Sequence, residues 1–372
     1  MGINVAKAKV VGYFFHVRNT GDIEGLLAAG LSDGVYGAAT VAIAVDGDVV
    51  AQHAVGRPRT WDAPDVPAER EWPPTDSATR FDLASITKLV TAATLLCLLD
   101  ERGADASLPV AELLREFAEP AMSGITVAQL LSHTAGFPAE WHDRSPDDGA
   151  VRFRAAARPV DAPGTVHRYS CVGYIWAGLA AEALGAAPLD VLAGRRVLEP
   201  LGMGETGFRP AIAAPPVITA ATEFQTDPPR GMVHGEVHDE TAWALGGAVG
   251  NAGLFGTAQN LLKLAEALRL PPGDGPLPAS VVRAMTTPVA RADDGYRQAL
   301  GPRIGETWAR GLGATAVGHT GFTGTAVATE PGGRLSVVFL SNRVHPQRGP
   351  ADRVQAMRRH ITDAAATAWG VR

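Results

Sequence analysis

The stretch GAATVAIAVDGDVVAQHAVG, residues 37–56, contains two runs of strand-forming residues on either side of Asp46-Gly47. Aspartate and glycine both tolerate the positive φ angles of a tight two-residue turn, so this pattern predicts a β-hairpin. A second pair of such runs occurs far along the chain, in GFTGTAVATEPGGRLSVVFLSNR (residues 321–343), around a Pro-Gly-Gly turn. The sequence therefore predicts strands near both ends of the chain.

The segments around these hairpins have helical character. Residues 21–32 and the tail at 351–370 show helical spacing, and residues 103–270 read as helical pieces separated by proline and glycine. Residues 57–80, which are rich in proline and charge, are predicted to form a long loop. The helix that follows is expected to begin at Ser85 and to end near Gly103.

Together these patterns predict an α+β fold, in which an antiparallel sheet flanked by helices forms an α/β sandwich and an all-helical domain is inserted into it. Residues 1–82 with 225–372 are predicted to form the α/β domain, and residues 83–224 the mainly helical domain. The active site is expected at the interface of the two.

The composition argues against nucleic acid and membranes as partners. The 372 residues carry a net charge of −6, and Lys and Arg form no basic run. No stretch approaches the roughly 18 apolar residues of a membrane span. Near the N-terminus, His16, Arg18 and Asp22 interrupt the apolar patch that a signal peptide would need. The expectation is a soluble, cytoplasmic protein.

The stretch FDLASITKLV, residues 81–90, places Ser85 and Lys88 three residues apart at the start of an apolar run. The chain has only four lysines against twenty-nine arginines. On a helix this spacing lets the amine reach the hydroxyl, and a buried lysine can accept a proton whereas arginine cannot. Ser85 is thus a candidate nucleophile and Lys88 its base. The alternative is a serine at a helix start with a chance lysine one turn later.

Two further motifs follow in order. PGTVHRYSCVGYIWAG (163–178) places Tyr169 between a Pro-Gly turn and an apolar helix, and GHTGFTGT (318–325) places His319-Thr320-Gly321 next to a predicted hairpin. With Ser85-Ile-Thr-Lys88, this order resembles the serine β-lactamase and penicillin-binding superfamily, in its class C-like branch. LLSHTAGFP (130–138) and HGEVHDETAWALGGAVGNAGLFGTA (234–258) also match, so the resemblance spans roughly residues 25–365.

The resemblance implies roles for these residues. Ser85 would be the acylated nucleophile, with Lys88 and Tyr169 sharing the proton transfer, the tyrosine as a phenolate held by the lysine charge. The backbone N–H groups of Ser85 and Phe322 would form the oxyanion hole. Substrate-binding residues would be Cys171, His319, Thr320 and Gly321. No cofactor and no metal is expected, and the alternative for Tyr169 is a core tyrosine.

Cys171 departs from the family, which has asparagine or aspartate at this position to bind the acylamino group of a peptide or β-lactam. A thiol is a poor hydrogen-bond partner, and a substrate amide left unpaired costs on the order of 1–3 kcal/mol. This favours an ester over a peptide or β-lactam. Cys171 could itself be the nucleophile, but the sequence suggests no base beside it.

His234 and His238 form an H-x-x-x-H pattern, which raises the alternative of a metal site. The pattern lacks the H-E-x-x-H helix of zinc enzymes, and Gly235 weakens a helix here.

The sequence therefore predicts a serine acyl-enzyme hydrolase or acyltransferase, an esterase or a transacylase of a natural-product pathway. Its partners would be a small-molecule acyl donor and an amine or alcohol acceptor. The alternatives are a DD-peptidase, D-aminopeptidase or β-lactamase, and, outside enzymes, a non-catalytic penicillin-binding sensor.

Overall fold

An eight-stranded antiparallel sheet unites strands from both ends of the chain in the computed structural model, which describes residues 23–210 and 217–370. The strands of these residues are β1 (Ala38–Val45), β2 (Asp48–Gly56), β3 (Trp61–Ala63), β4 (Val66–Pro67), β5 (Phe81–Asp82), β6 (Gly207–Phe208), β7 (Phe224–Gln225), β8 (Gly231–Met232), β9 (Leu254–Gly256), β10 (Ala290–Arg291), β11 (Arg297–Gln298), β12 (Arg303–Ile304), β13 (Val317–Thr320), β14 (Ala326–Thr329) and β15 (Leu335–Ser341). The order in the main sheet is β10-β11-β12-β13-β14-β15-β1-β2.

The helices cover this sheet and fill the middle of the chain. They are α1 (Ile23–Ser32), α2 (Thr87–Glu101), α3 (Val127–Leu131), α4 (Gly149–Ala156), α5 (Cys171–Gly185), α6 (Leu189–Ala193), α7 (Glu240–Ala244), α8 (Ala258–Arg269), α9 (Ala279–Thr286) and α10 (Asp352–Ala368). The predicted α+β class, an antiparallel sheet flanked by helices, is confirmed.

The two predicted hairpins form and lie side by side. Asp46 and Gly47 turn β1 into β2 with φ angles of 53° and 96°, as the tight turn requires. Strand β15, from the second hairpin, pairs with β1 from Ala39↔Ser341 to Val45↔Leu335. Strands distant in sequence are thereby joined at the centre of the sheet.

Both faces of the sheet are covered, so its central strands β1 and β15 are buried along almost their whole length. Along β1, side chains alternate between the faces. Val41 and Ile43 pack in a cluster with Leu27 of α1 and Ile361 of α10, while Ala42 belongs to the cluster on the other face, which includes α8. The alternating pattern of a half-exposed strand is absent from β1 because neither of its faces meets water.

Helix α2 runs through the interior of the helical region. Every residue from Thr87 to Leu99 is buried, which suits a helix that is apolar on all sides. Helix α5 packs against it and carries Trp176, whose ring lies 5.1 Å from Phe117 and 5.0 Å from Phe153, centroid to centroid. This core fixes the start of α2, where Ser85 and Lys88 lie.

Two predicted elements differ in detail. The loop at 57–80 contains the short paired strands β3 and β4. The helix predicted to begin at Ser85 starts as a 3-10 turn, Ala84–Ile86, and becomes α-helical at Thr87. Backbone geometry at such a junction is set by tertiary contacts that residue spacing does not report.

The predicted division into residues 1–82 with 225–372 and residues 83–224 stays a prediction, and residues 1–22 lie outside the described part. A small sheet, β5-β9-β6, contains strands from both sides of that division. Among the described residues, no single helix is long and apolar enough to cross a membrane. One pair, Cys171–Gly185 with Leu189–Leu198, meets these criteria by length and composition, but it is bent by 76°. The cytoplasmic location stays a prediction.

Candidate active site

Ser85 lies in the 3-10 turn that leads into α2, and its position is set by the residues just before it. Asp82 Oδ1 accepts a hydrogen bond of 2.8 Å from the Ala84 N–H, and Ala84 has a φ of 47°, where residues other than glycine are uncommon. Lys88 follows one turn later, fully buried, and its Nζ donates to Ser85 Oγ at 3.0 Å. The hydroxyl and the amine are therefore in direct contact.

Lys88 Nζ has two more acceptors, the Asn251 carbonyl oxygen at 2.9 Å and Cys171 Sγ at 3.5 Å. Burial lowers the pKa of Lys88, but Cys171 and Tyr169 raise it by more, so the pKa lies above its usual value. Burial raises the pKa of the Cys171 thiol, more than the Lys88 charge lowers it. At pH 7 Lys88 is therefore charged and the Cys171 thiol beside it is neutral.

Tyr169 is held in place by the start of helix α5. The next residue, Ser170, caps the helix: its Oγ accepts from the Gly173 N–H at 3.0 Å and donates to the Pro138 carbonyl at 2.6 Å. The Ser170 N–H donates to His133 Nδ1 at 3.0 Å. The capped helix start therefore fixes the backbone on which Tyr169 stands.

Two cations lie beside the Tyr169 ring, within the range of cation–π contacts. Lys88 Nζ is 5.0 Å from its centroid and the Arg303 guanidinium carbon is 4.6 Å away. Sequence reasoning missed Arg303, which belongs to no motif. It reaches the site because β12 pairs with β13 at Arg303↔Gly318, and this register is not visible in the sequence. The Tyr169 ring therefore lies between two positively charged side chains.

Cys171 is the first residue of α5, and its N–H donates to the Ala139 carbonyl at 2.7 Å. Its side chain is partly exposed and contacts Lys88 Nζ, as given above. The thiol therefore stands beside the hydroxyl of Ser85 at the position that the sequence motif indicates.

His319 lies on β13 and is fully buried. Its Nδ1 lies 2.8 Å from the Thr320 carbonyl oxygen, which can only accept, so this nitrogen carries the hydrogen. Burial, followed by the charges of Arg303 and Lys88, holds the pKa of His319 well below its usual value. The ring is neutral at pH 7, and its contact with substrate stays a prediction, as does that of the half-buried Thr320.

Gly321 directly follows this strand, at a point where only glycine fits. A Cβ there would lie 2.0 Å from Thr325 Oγ1 and 2.6 Å from the Leu83 carbonyl oxygen. The close approach brings the next residue, Phe322, to the cleft beside Ser85. Within residues 23–210 and 217–370, the Phe322 N–H has no hydrogen-bond acceptor. That N–H is available to a ligand, and the oxyanion pair of Ser85 and Phe322 stays a prediction.

These groups meet in a cavity of about 180 Å³. Its lining is Ala84, Ser85, Glu140, Trp141, Arg144, Tyr169, Cys171, His238, Asp239, Glu240, Thr241, Ala252, Phe322 and Arg348. The structure thus brings four of the predicted site residues, Ser85, Tyr169, Cys171 and Phe322, to one cavity. Lys88 and His319 do not line it: Lys88 contacts Ser85, and the His319 ring lies 5.9 Å from the Tyr169 ring, centroid to centroid. Glu140, Arg144 and Arg348, which also line the cavity, were not singled out from the sequence, because no motif marks them.

The H-x-x-x-H histidines form hydrogen bonds with different partners. His234 Nε2 is 2.8 Å from the Thr219 carbonyl, and His238 Nε2 is 2.8 Å from Glu223 Oε2. In the described part of the chain, no group of three or more His, Cys, Asp or Glu residues is placed to hold a metal ion. The His238 ring also stacks on Phe322, with centroids 5.5 Å apart. This segment therefore forms a wall of the cleft.

Comparison with known proteins places the chain among relatives of the same architecture. A family model described as Beta-lactamase matches residues 23–360. A protein of Salmonella agona (strain SL483), named "Putative D-alanyl-D-alanine carboxypeptidase", is 27% identical over 376 residues, which cover 91% of this chain and 86% of the relative.

Solved structures resemble the chain over nearly its whole length. The LovD6 mutant of simvastatin synthase from Aspergillus terreus has a TM-score of 0.72 at 18% identity and covers 94% of this chain and 95% of its own. EstCE1, described as a hydrolase with promiscuous acyltransferase activity, has a TM-score of 0.70 at 20% identity and covers 91% and 97%. At identities of 18% and 20%, this structural similarity shows the fold alone.

Proposed function

The chain belongs to the Beta-lactamase family of serine hydrolases, and we propose that it acts on an ester through an acyl-enzyme formed on Ser85. The observation that carries this proposal is the 3.0 Å hydrogen bond from Lys88 Nζ to Ser85 Oγ, beside a cavity that Tyr169 also lines. A hydroxyl held by a charged amine at an open cavity, with a tyrosine beside them that can serve as base, is what covalent catalysis requires.

In the acylation step, the Tyr169 phenolate takes the proton of Ser85 as Oγ attacks the ester carbonyl. Lys88 and Arg303 stabilise the phenolate by their charge, which is consistent with the raised pKa of Lys88. Negative charge develops on the carbonyl oxygen and is stabilised by the N–H groups of Ser85 and Phe322. Tyr169 then returns the proton to the departing alkoxide, so the alcohol leaves neutral and Ser85 carries the acyl group.

In the second step an acceptor attacks the acyl-Ser85 carbonyl while Tyr169 takes the acceptor's proton. The bond between the acyl group and Ser85 Oγ then breaks, and Tyr169 returns the proton to Oγ, which restores the free serine and the phenolate. Water as acceptor gives an esterase, and an alcohol or amine gives a transacylase. The acyltransferase activity in the description of EstCE1 and the synthase activity in that of simvastatin synthase support the transacylase reading.

The choice of an ester rests on Cys171. A neutral thiol beside Ser85 offers an acylamino group only a weak hydrogen bond, and a buried amide without a partner costs about 1–3 kcal/mol. An ester with a simple acyl chain carries no such amide, so its binding does not incur this cost at Cys171.

A second candidate is a peptidase or amidase for D-amino-acid substrates, and a specific observation favours it. Arg348 lines the same cavity as Ser85 and lies over the exposed ring of Phe322, with its guanidinium carbon 5.2 Å from the centroid. A guanidinium there suits the carboxylate of a peptide leaving group. Arg348 is already paired with Glu223 at 2.7 Å and with Glu240, so a carboxylate would have to compete with two others. The name of the Salmonella relative also supports this candidate.

A panel of p-nitrophenyl esters, D-alanyl-D-alanine peptides and nitrocefin, each with and without an amine or alcohol acceptor, separates the candidates. We expect ester turnover, slow or absent nitrocefin hydrolysis, and faster release of p-nitrophenol when an acceptor is added. Preferential cleavage of the peptides would replace the ester proposal by the second candidate. A stable penicillin adduct on Ser85 without turnover of any substrate would indicate a binding sensor.

A further inference from the structure

Arg358, on helix α10, is 3% exposed and lies behind the loop that presents Phe322 to the cleft. Its Nη2 donates to the Gly321 carbonyl oxygen at 2.8 Å and to the Thr325 carbonyl oxygen at 3.0 Å. The Gly321 N–H donates to the same Thr325 oxygen at 2.8 Å. The guanidinium therefore binds both ends of the loop through its main chain.

This buried charge lacks a counter-ion. Within the described residues no carboxylate forms an ion pair with Arg358, and its Nε is buried without a hydrogen-bond partner. Glu306, the acidic group that acts on it, is paired with Arg303 at 3.0 Å. Burial lowers the pKa of Arg358 to about 9, so the group is still charged at pH 7. An unpaired buried charge is unfavourable for folding, so stability does not explain it.

The hydrogen bond from Arg358 to the Gly321 carbonyl explains better why a charged side chain is buried here. The carbonyl of Gly321 and the N–H of Phe322 belong to one planar peptide group, and they point in opposite directions when the peptide is trans. A positive donor on the oxygen polarises the whole group and makes the N–H at its other end a stronger donor. That N–H has no acceptor among the described residues and lies at the edge of the cavity that contains Ser85.

We propose that Arg358 is a positioning residue for acyl transfer: it fixes and polarises the Gly321–Phe322 peptide so that the Phe322 N–H stabilises the oxyanion of the transition state. It acts from behind the site and does not touch substrate. The inference rests on the proposed acyl-enzyme at Ser85. A group acting on the oxyanion should change kcat and leave KM nearly constant, because the charge is larger in the transition state than in bound substrate.

The test compares Arg358→Met, Arg358→Gln and Arg358→Lys with Arg359→Met, its exposed neighbour on α10. We expect the Met variant to lose on the order of 10²-fold in kcat for an ester, near the lower limit for loss of one oxyanion donor. Its affinity for a boronic acid that mimics the tetrahedral intermediate should fall by a similar factor, while KM stays within about threefold. The kcat and boronate affinity of the Gln variant should lie between those of the Met variant and those of the unaltered protein. The Lys variant should retain most activity, and Arg359→Met should match the unaltered protein.

Thermal unfolding distinguishes this role from a structural one. Removing an unpaired buried charge should leave the Met variant at least as stable as the unaltered protein, although its kcat is lower. Unchanged kcat and boronate affinity in the Met or Gln variant would overturn the proposal, and so would a loss that appears only in KM. If the Met variant does not fold, the Gln and Lys variants decide by the same criteria. Failure of the unaltered protein to acylate Ser85 would instead overturn the proposed function, which mass spectrometry of that protein detects.

Discussion

The two walls of the cleft contribute different chemical groups. The helical wall, which carries Ser85, Lys88 and Tyr169, contributes side chains: Lys88 Nζ donates to Ser85 Oγ and lies 5.0 Å from the centroid of the Tyr169 ring. The strand wall, formed by the end of β13 and the Gly321–Phe322 peptide, contributes a backbone N–H supported from behind by Arg358. Because side chains can be removed by substitution and a backbone group cannot, variants of the helical wall should abolish the chemistry and variants of the strand wall should only weaken it.

The largest effect is expected for Ser85→Ala. Without the hydroxyl no acyl-enzyme can form, so kcat for an ester should fall by on the order of 10⁵-fold or more while the fold is kept. Ser107→Ala, at an exposed serine bonded to Asp105, is the matched control and should remain active. A Ser85→Ala protein that kept a tenth of its activity would place the nucleophile elsewhere.

Lys88→Arg should be nearly as damaging, with a loss on the order of 10³-fold. The site is fully buried, so the larger guanidinium cannot place its charge where the amine contacts Ser85 Oγ and lies 5.0 Å from the centroid of the Tyr169 ring. The control is Lys263→Arg, at an exposed lysine whose Nζ bonds the Gly202 carbonyl. Steady-state rates on one ester suffice, and an arginine variant with near-normal kcat would show that the placement of the Lys88 amine against Ser85 is not required.

On the strand wall, His319 predicts a dependence of stability on pH. Its pKa is held well below its usual value in the folded protein, by burial first and then by Arg303 and Lys88, so below about pH 6.5 the unfolded chain binds the extra proton. Stability must therefore fall as the pH falls. His319→Gln should reduce the loss of stability between about pH 6.5 and 5.

Urea unfolding at those two pH values measures this difference, with His142→Gln, at an exposed histidine, as control. His133, whose pKa burial also holds well below its usual value, remains in the variant, so part of the dependence should persist. An unchanged loss of stability in His319→Gln would show that the His319 ring is not neutral in the folded protein.

The smallest effect is expected for Cys171→Asn. The new amide adds one hydrogen bond for an acylamino group, so kcat/KM for a cephalosporin should rise about tenfold, for roughly 1.4 kcal/mol, while a simple ester is little affected. Cys171→Ala should keep its ester activity. An inactive alanine variant, or rapid cephalosporin hydrolysis by the unaltered protein, would contradict the role assigned to the thiol.

The sequence predicted the helical wall better than the strand wall, for a physical reason. Ser85 and Lys88 are three residues apart, and a helix alone brings them together. Arg303 and Arg358 reach the site only through the register of β12 on β13 and the packing of α10, which no local pattern encodes.

The fold shows the same contrast. The β1–β2 hairpin was predictable from Asp46-Gly47, because a two-residue turn is a local property. The pairing of β1 with β15 could be expected from apolar runs at both ends of the chain, but its register could not. The 3-10 turn at Ala84–Ile86 depends on Asp82, whose carboxylate also accepts the His238 N–H from a segment distant in sequence.

The most direct test of the acyl-enzyme is mass spectrometry of the protein after rapid mixing with a p-nitrophenyl ester and an acid quench. The account predicts one added acyl group per chain, located by peptide mapping on the segment with Ser85, formed as fast as the burst of p-nitrophenol and absent from Ser85→Ala. Turnover of the ester with no adduct, or with the acyl group on Cys171, would contradict it.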